Sequence, residues 1–249
     1  MVEKKQFLIQ SLSPDWIRRE IFLSDLRGSA VNRLFLESSE GKTKISNLME
    51  VIVATRNKGK LREFRDALKG LNLRIYGLSD FSDVPEIEED GQSFTENALK
   101  KARFYSRYFG KLTLADDSGL EVDSLKGEPG VHSARYAGER ASSRENNQKL
   151  LEEMQGVPIS KRGARFRCIV AVRSPGGREV LAEGSCTGRI GFKEKGRKGF
   201  GYDPLFILPR DGRTMAELSL EEKNRISHRG KALRKIRKVI KTFGPLGSL

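Results

Sequence analysis

The chain has 249 residues, 37% hydrophobic and 32% charged, with 47 Lys and Arg against 33 Asp and Glu for a formal charge of +14. A chain of this length buries a core without covalent staples, which excludes a disulfide-dependent mini-domain. Its apolar runs all fall short of the roughly 20 residues that a membrane-spanning helix needs. The excess of positive charge favours a polyanionic partner, because phosphates are attracted by long-range field alone.

Residues 1–48 hold eight Lys or Arg against six Asp or Glu, which leaves most of the positive charge to the remainder. The fragments Trp16-Ile17 and Ile21-Phe22-Leu23 suit a short amphipathic helix, but nothing in this segment carries chemistry, and it ends in the polar stretch 37–44. We expect an N-terminal extension over 1–48 that stands outside the functional core, poorly ordered or translated from upstream of the natural start. The functional domain is expected over 49–249. No apolar segment of a secretory signal is seen. Cys168 and Cys186 lie in apolar, strand-like surroundings without CxxC or Cys/His spacing, the pattern of reduced core thiols in a cytoplasmic protein.

Val51-Ile-Val-Ala-Thr55 is a β-branched apolar run of the kind found in a central strand buried on both faces. A helix follows, with Leu61, Phe64 and Leu68 on one side and Gly70 at its stop. The turn between them, Thr55-Arg56-Asn57-Lys58-Gly59-Lys60, presents backbone N–H groups, the positive end of a helix dipole and two lysines. It suits an anion. It lacks the GxxxxGK[ST] of a Walker A loop, however, and a plain strand-to-helix turn with an Asn cap has the same composition.

Leu71–Leu78 is expected to be a second strand, followed by the acidic loop Glu86-Ile-Glu88-Glu89-Asp90-Gly91. Ser93-Phe-Thr-Glu96 is a capping box for a helix with Phe94, Ala98, Ala102, Tyr105 and Phe109 along one side. The apolar run Leu112–Ala115 is expected to be a strand that ends in an acidic turn, Asp116-Asp117-Ser118-Gly119. Two carboxylates side by side repel unless a cation or proton lies between them, and an all-oxygen ligand set favours Mg²⁺. A carboxylate near such a metal also suits removal of a proton from attacking water. Glu88 or Glu89 is placed to face Asp117 across one metal. The same Asp, Ser and Gly are equally the residues of an ordinary solvated turn.

Ser142-Ser-Arg-Glu145 opens a helix that reaches Met154. Ala164–Val172 and Glu179–Cys186, joined by Ser174-Pro-Gly-Gly177, form an expected β-hairpin, so the sheet is mixed. The basic, glycine-rich segment Lys195–Asp203 carries Phe200 and Tyr202 and suits close approach to a ligand with ring stacking. Leu205–Leu208 is expected as one more strand, and Ser219-Leu-Glu-Glu222 caps a helix containing Lys223. Lys223–Lys241 then holds nine Lys or Arg and no acid, expected to form a solvated helix face.

Six of these segments together resemble the inosine triphosphate pyrophosphatase family, the non-canonical purine nucleoside triphosphate (dITP/XTP) pyrophosphatases. They are Ala54-Thr-Arg-Asn-Lys-Gly-Lys60, Phe94-Thr-Glu-Asn-Ala98, Ala115-Asp-Asp-Ser-Gly-Leu120, Pro129-Gly-Val-His-Ser-Ala-Arg-Tyr-Ala-Gly138, Gly199-Phe-Gly-Tyr-Asp-Pro-Leu-Phe206 and Ile226-Ser-His-Arg-Gly-Lys-Ala-Leu233. They stand in the family's order and at family-like spacing over about residues 50–242.

The resemblance implies an α/β fold with an elongated mixed central sheet flanked by helices, and a homodimer. It implies Mg²⁺-dependent hydrolysis of ITP, dITP and XTP to the monophosphate and pyrophosphate, with one Mg²⁺ per subunit. Carried onto this chain, it assigns Thr55, Arg56, Asn57, Lys58, Gly59 and Lys60 to the triphosphate. Glu88, Glu89 and Asp117 fall to the metal, and Asp117 to the proton of the attacking water. Ser118, Phe200, Gly201, Tyr202, Asp203, Lys223, His228 and Arg229 are the remaining substrate contacts, with Lys101 near the phosphates. Hypoxanthine and xanthine carry an oxygen where adenine has an amino group, so donors from the His228-Arg229 segment would favour the former. An unpaired buried donor costs about 1–3 kcal/mol. Two departures from the family pattern are the 48-residue leader and Arg56, where a smaller residue is common.

Two other readings compete. One is a related pyrophosphatase for modified pyrimidine nucleotides. The other is a nucleic-acid-binding module built on the basic C-terminal helix, against which stand the acids at 86–90 and 116–117 that interrupt any continuous basic track.

Overall fold

The apolar run after residue 48 becomes β1 (Met49–Val53), in which Val51, Ile52 and Val53 are fully buried. Asn57 caps α1 (Lys58–Ala67), its Oδ1 accepting from the Lys60 N–H at 3.0 Å, and the chain returns as β2 (Leu73–Gly77) parallel to β1. Ser93 caps α2 (Phe94–Phe109), which ends at Gly110 in the left-handed conformation at φ 61°. The expected capping box is half formed here. Ser93 accepts from the Glu96 N–H, but the Glu96 carboxylate accepts from Gln92 N at 2.7 Å, one residue ahead of the cap, and so fastens the end of the acidic loop.

β3 (Leu112–Val122) lies parallel to β1 on the side away from β2. A complete capping box at Ser142 and Glu145 opens α3 (Ser143–Glu153). The hairpin follows as β4 (Gly163–Arg173) and β5 (Glu179–Ile190), and the last expected strand shrinks to the two residues of β6 (Phe206–Ile207). The strand order is β2-β1-β3-β4-β5-β6, parallel in the first half and antiparallel in the second, so the sheet is mixed as expected. Ser219 and Ser227 then cap α4 (Leu220–Ile226) and α5 (His228–Val239). The structure, a computed structural model, describes residues 48–243. Apart from Leu48, the expected extension and its amphipathic helix lie outside these residues. Everything named above belongs to one compact unit, residues 46–80 with 85–249; the other unit, 1–45 with 81–84, is described only at Phe81–Val84.

Side chains alternate across a strand, and this divides the site into two faces. On one face Val51, Val53, Leu112 and Leu114 pack against Leu61, Phe64 and Leu68 of α1 and Leu233 and Ile236 of α5. On the other lies α2, whose Asn97 meets Asp117 of β3. From β1 the chain steps to β2 on one side, then crosses β1 through α2 to reach β3 on the other. The winding therefore reverses at the carboxyl end of β1, where open α/β sheets hold their ligands.

The acidic segment is not a turn. β3 runs straight through it, held by antiparallel pairs Asp116↔Val170, Asp117↔Ile169 and Ser118↔Cys168 with β4. Its polar, turn-like composition is overridden by a partner strand supplied from 50 to 54 residues downstream, which no local pattern reports. β1 pairs with β3 only at Leu112–Leu114, so beyond them this flank of β3 opens onto the crevice.

Nor is the basic C-terminal segment simply a solvated face. Lys231 and Lys235 donate from Nζ to the carbonyls of Ser185 and Glu183 on β5, Arg234 to that of Asn224, and Arg237 to that of Lys69. The two lysines thus cover an edge of β5 that β6 pairs only at Arg189 and Ile190. α5 approaches β5 closely enough for this because residue 184 is glycine: a Cβ there would lie 2.1 Å from the His228 carbonyl oxygen. Cys168 and Cys186 are both free and buried. No helix among the described residues is long and apolar enough to cross a membrane.

Candidate active site

A cavity of about 720 Å³ opens at the carboxyl end of β1. Asn57 and Lys60 line it from the start of α1, Glu88 and Glu89 from the acidic loop, and Asp117 and Ser118 from β3. The segment Phe200–Asp203 lines the far side together with Lys223, His228 and Arg229. Four of the expected triphosphate contacts are absent from the lining. Thr55 accepts from Asn57 N through its hydroxyl, Arg56 pairs with Glu86 at 3.1 Å in solvent, Lys58 is exposed, and Gly59 lies beneath the Phe200 ring, where a Cβ would clash at 2.4 Å.

The two adjacent aspartates do different things because they point to opposite faces of β3. Asp116, 1% exposed, faces α1 and α5. Arg229 reaches its Oδ2 with Nε at 3.0 Å and NH2 at 2.8 Å, and Lys60 lies 3.2 Å from the same oxygen. Arg229 also binds Ser118 Oγ at 2.7 Å and Glu63 Oε2 at 2.6 Å; Lys223 meets Glu63 Oε1 at 2.7 Å and pairs with Asp203. Three cations and three carboxylates thus form one chain, buried except at the partly exposed Lys60, in which every charge has a partner. Burial opposes ionisation of Asp116, but Lys60 and Arg229 outweigh it and hold its carboxyl far below the usual range. Burial likewise works against the Lys60 ammonium, but Asp116, Asp117 and Glu89 together outweigh it and raise its pKa.

Asp117 faces α2 and the acidic loop. Its Oδ1 accepts from Ser118 N at 2.9 Å and its Oδ2 from Asn97 Nδ2 at 3.0 Å. Burial pushes its carboxyl up, and the charge of Glu89 adds to the rise against Lys101 and Lys60. Lys101 sits between the acids, its Nζ 2.7 Å from Glu89 Oε2 and 2.6 Å from the Asp116 carbonyl. The sequence-based expectation of two neighbouring carboxylates sharing a cation is therefore corrected: Asp116 is neutralised by Arg229 and Lys60, and the acid that couples to Asp117 is Glu89. Among the described residues no three His, Cys, Asp or Glu side chains form a metal-holding group by themselves.

At the far end, Lys223 and Arg229 lie over the Phe200 ring at 4.6 and 5.5 Å from its centroid. Asp203 accepts from Phe200 N at 2.8 Å, which folds the glycine-rich loop back on itself. The Tyr202 hydroxyl turns away into the core and donates to the Ser133 carbonyl at 2.9 Å. His228 stacks on Phe166 at 4.7 Å and 15°, and burial, with Arg229 and Lys223 nearby, keeps its imidazole neutral.

Sequence reasoning passed over Glu63, Asn97 and Arg135, and placed Lys101 only loosely. Asn97 and Lys101 belong to the buried side of α2, among Phe94, Ala98, Ala102 and Tyr105. Polar residues within an apolar stripe were the available signal. Arg135 donates to the Glu89 carbonyl at 3.1 Å from a 3-10 turn, Gly130–Arg135, and Glu63 gives no such sign.

A parallel half-sheet whose crevice gathers lysines, an arginine and carboxylates from separate elements has the form of an α/β enzyme site, and its cations suit an anionic ligand. The chain belongs to the Ham1 family, whose model matches residues 51–239. It is 51% identical over 192 residues to a dITP/XTP pyrophosphatase of Desulforamulus reducens, covering 77% of this chain and 96% of the relative. It is 54% identical over 186 residues to a dITP/XTP pyrophosphatase of Geobacter sulfurreducens, covering 75% and 94%. A HAM1 protein from Coxiella burnetii has a solved structure similar at TM-score 0.70 and 41% identity, covering 78% of this chain and 99% of its own; the Staphylococcus aureus Ham1 protein gives 0.68, 37%, 78% and 98%.

Proposed function

We propose that this chain hydrolyses dITP, ITP and XTP to the nucleoside monophosphate and pyrophosphate with the help of one Mg²⁺ per subunit. The relatives' names supply the substrate class, and the pairing of Glu89 with Asp117 across the cavity supplies the chemistry. The donors fit the ion: both are oxygen, they come from separate segments, and a cation between them would offset the Glu89 charge that adds to the burial-driven rise of the Asp117 carboxyl. Glu89 is favoured over the exposed Glu88 as the direct ligand, since Lys101 turns its carboxylate inward. Mg²⁺ typically takes one or two carboxylates and completes its shell from phosphate oxygens and water. When bound it neutralises charge on the phosphates.

The chain's own groups do the rest. Asp117 accepts the proton of the water that attacks the α-phosphorus, while Lys60, at the positive end of α1, faces the phosphates. The purine lies toward Phe200 and His228. Arg229 directs Nε, NH1 and NH2 to Asp116, Glu63 and Ser118, so the 6-oxygen of hypoxanthine or xanthine falls to His228 and to the backbone N–H groups of His228 and Arg229, those of Gly230 and Lys231 being taken by Ser227. We further propose that the enzyme works as a cytoplasmic homodimer. Pyrophosphate release from ITP, dITP, XTP, ATP, GTP and dUTP, with and without Mg²⁺, tests the reading. Turnover of dUTP in preference to the three named purines, or turnover unaffected by chelator, overturns it.

A further inference from the structure

We infer that Asn97 is a positioning residue that fixes the gap between the acidic loop and Asp117, and so sets the affinity of the site for its divalent cation. The inference rests on the assignment of Glu89 and Asp117 to that cation. Asn97 is 1% exposed and spends both ends of its amide. Its Oδ1 accepts from Gly91 N at 2.8 Å; its Nδ2 donates to Asp117 Oδ2 at 3.0 Å and lies 3.5 Å from the Gly91 carbonyl. The orientation is forced. Gly91 N–H can only donate, so the atom facing it must be the amide oxygen, and the NH₂ group is left for the carboxylate. A flipped amide would set oxygen against carboxylate and N–H against N–H.

One side chain therefore holds the loop two residues after Glu89 and the carboxylate of Asp117 at a single separation. Lys101, one turn further along α2, grips Glu89 itself. The close fit also explains residue 91: a Cβ there would lie 2.5 Å from Asn97 Oδ1 and 2.9 Å from Glu96 Cβ, so any larger residue drives the loop away. Groups of this kind that orient ligands without touching the ion change metal affinity about 10–100-fold when removed.

The test uses Mn²⁺ alone as the probe, titrated into nucleotide-free protein by calorimetry or electron paramagnetic resonance, with the parent, Asn97→Ala, Gly91→Ala and Glu89→Gln. Asn97→Ala and Gly91→Ala are both expected to weaken Mn²⁺ at least about ten-fold. Both should also shift the Mg²⁺ dependence of pyrophosphate release to higher concentration, with kcat recovering at saturating Mg²⁺. A merely structural lesion would lower kcat without that recovery. Gly91→Ala touches neither carboxylate and lies in a loop, so it decides the matter if Asn97→Ala fails to fold. Parental Mn²⁺ affinity in either folded variant, with Glu89→Gln weakened, overturns this inference and leaves the metal assignment standing. If Glu89→Gln is also parental, the metal assignment falls and this inference with it.

Discussion

Arg229 and Asp116 are joined through two nitrogens on one carboxylate oxygen, 3.0 and 2.8 Å away, across the crevice between α5 and β3. Both groups are 1% exposed, and the same guanidinium also serves Glu63. Removing one member of a buried charge cluster leaves its partners uncompensated, which typically costs about 3–5 kcal/mol. Arg229→Met should therefore lose about that much in urea unfolding. A lysine cannot reproduce the planar fork, so Arg229→Lys should recover only part of it. In a double-mutant cycle, Asp116→Asn with Arg229→Met should cost less than the sum of the two singles.

Glu63 makes the same cluster visible in pH. Burial favours its neutral form, but Arg229 and Lys223 outweigh burial and lower its pKa from the ordinary 4.5. A carboxyl with a depressed folded pKa is protonated more readily in the unfolded chain, so its stabilising contribution is present above pH 4.5 and is lost as pH falls through the lower folded value. Glu63→Gln should be less stable than the parent at pH 7, and the two unfolding curves should draw together as pH falls below the ordinary 4.5. Parallel curves from pH 7 down to pH 3 would contradict the assignment.

What the sequence could disclose follows from how local each determinant is. The first strand, the Asn57 cap, the boxes at Ser142 and Ser219 and the hairpin are dictated within a few residues; they stand where the pattern put them, save that the strand expected over 51–55 runs from Met49 to Val53. The site residues that were legible lie in short motifs. Asp116 and Asp117 could be picked out, yet their separation onto two faces depends on β4 extending β3 through them. Glu63 sits one residue before the core residue Phe64 and is distinguished only by Lys223 and Arg229, 160 or more residues later. Among the nine basic residues at 223–241, Lys231, Arg234, Lys235 and Arg237 bond backbone carbonyls, and Lys223 and Arg229 meet acids far away in the chain; sequence composition displays neither.

Tyr202 separates motif membership from direct contact. Its ring lines the cavity, but its hydroxyl bonds the Ser133 carbonyl. Burial raises the phenol above its ordinary pKa, so it stays protonated and cannot act as a base near neutrality. Tyr202→Phe should cost about 1 kcal/mol in thermal or urea unfolding, the net value of one hydrogen bond. KM and kcat for dITP should change less than about two-fold, because the ring surface is kept.

Gly184 links the far edge of the sheet to the crevice. A Cβ at this position would lie 2.1 Å from the His228 carbonyl oxygen and 2.6 Å from Ala232 N, both backbone atoms of α5 that cannot rotate aside. Gly184→Ala must therefore move the first turn of α5, and that turn carries His228 and the arginine bound to Asp116. Overpacking of this kind costs about 1–3 kcal/mol. The displacement should also lower kcat/KM, although residue 184 does not line the cavity. Thr187→Ala, exposed on the same strand, should stay within about 0.5 kcal/mol of the parent with unchanged kinetics. If Gly184→Ala were destabilised to the predicted extent while kcat/KM for dITP stayed parental, α5 would not be what holds Arg229 in its working position.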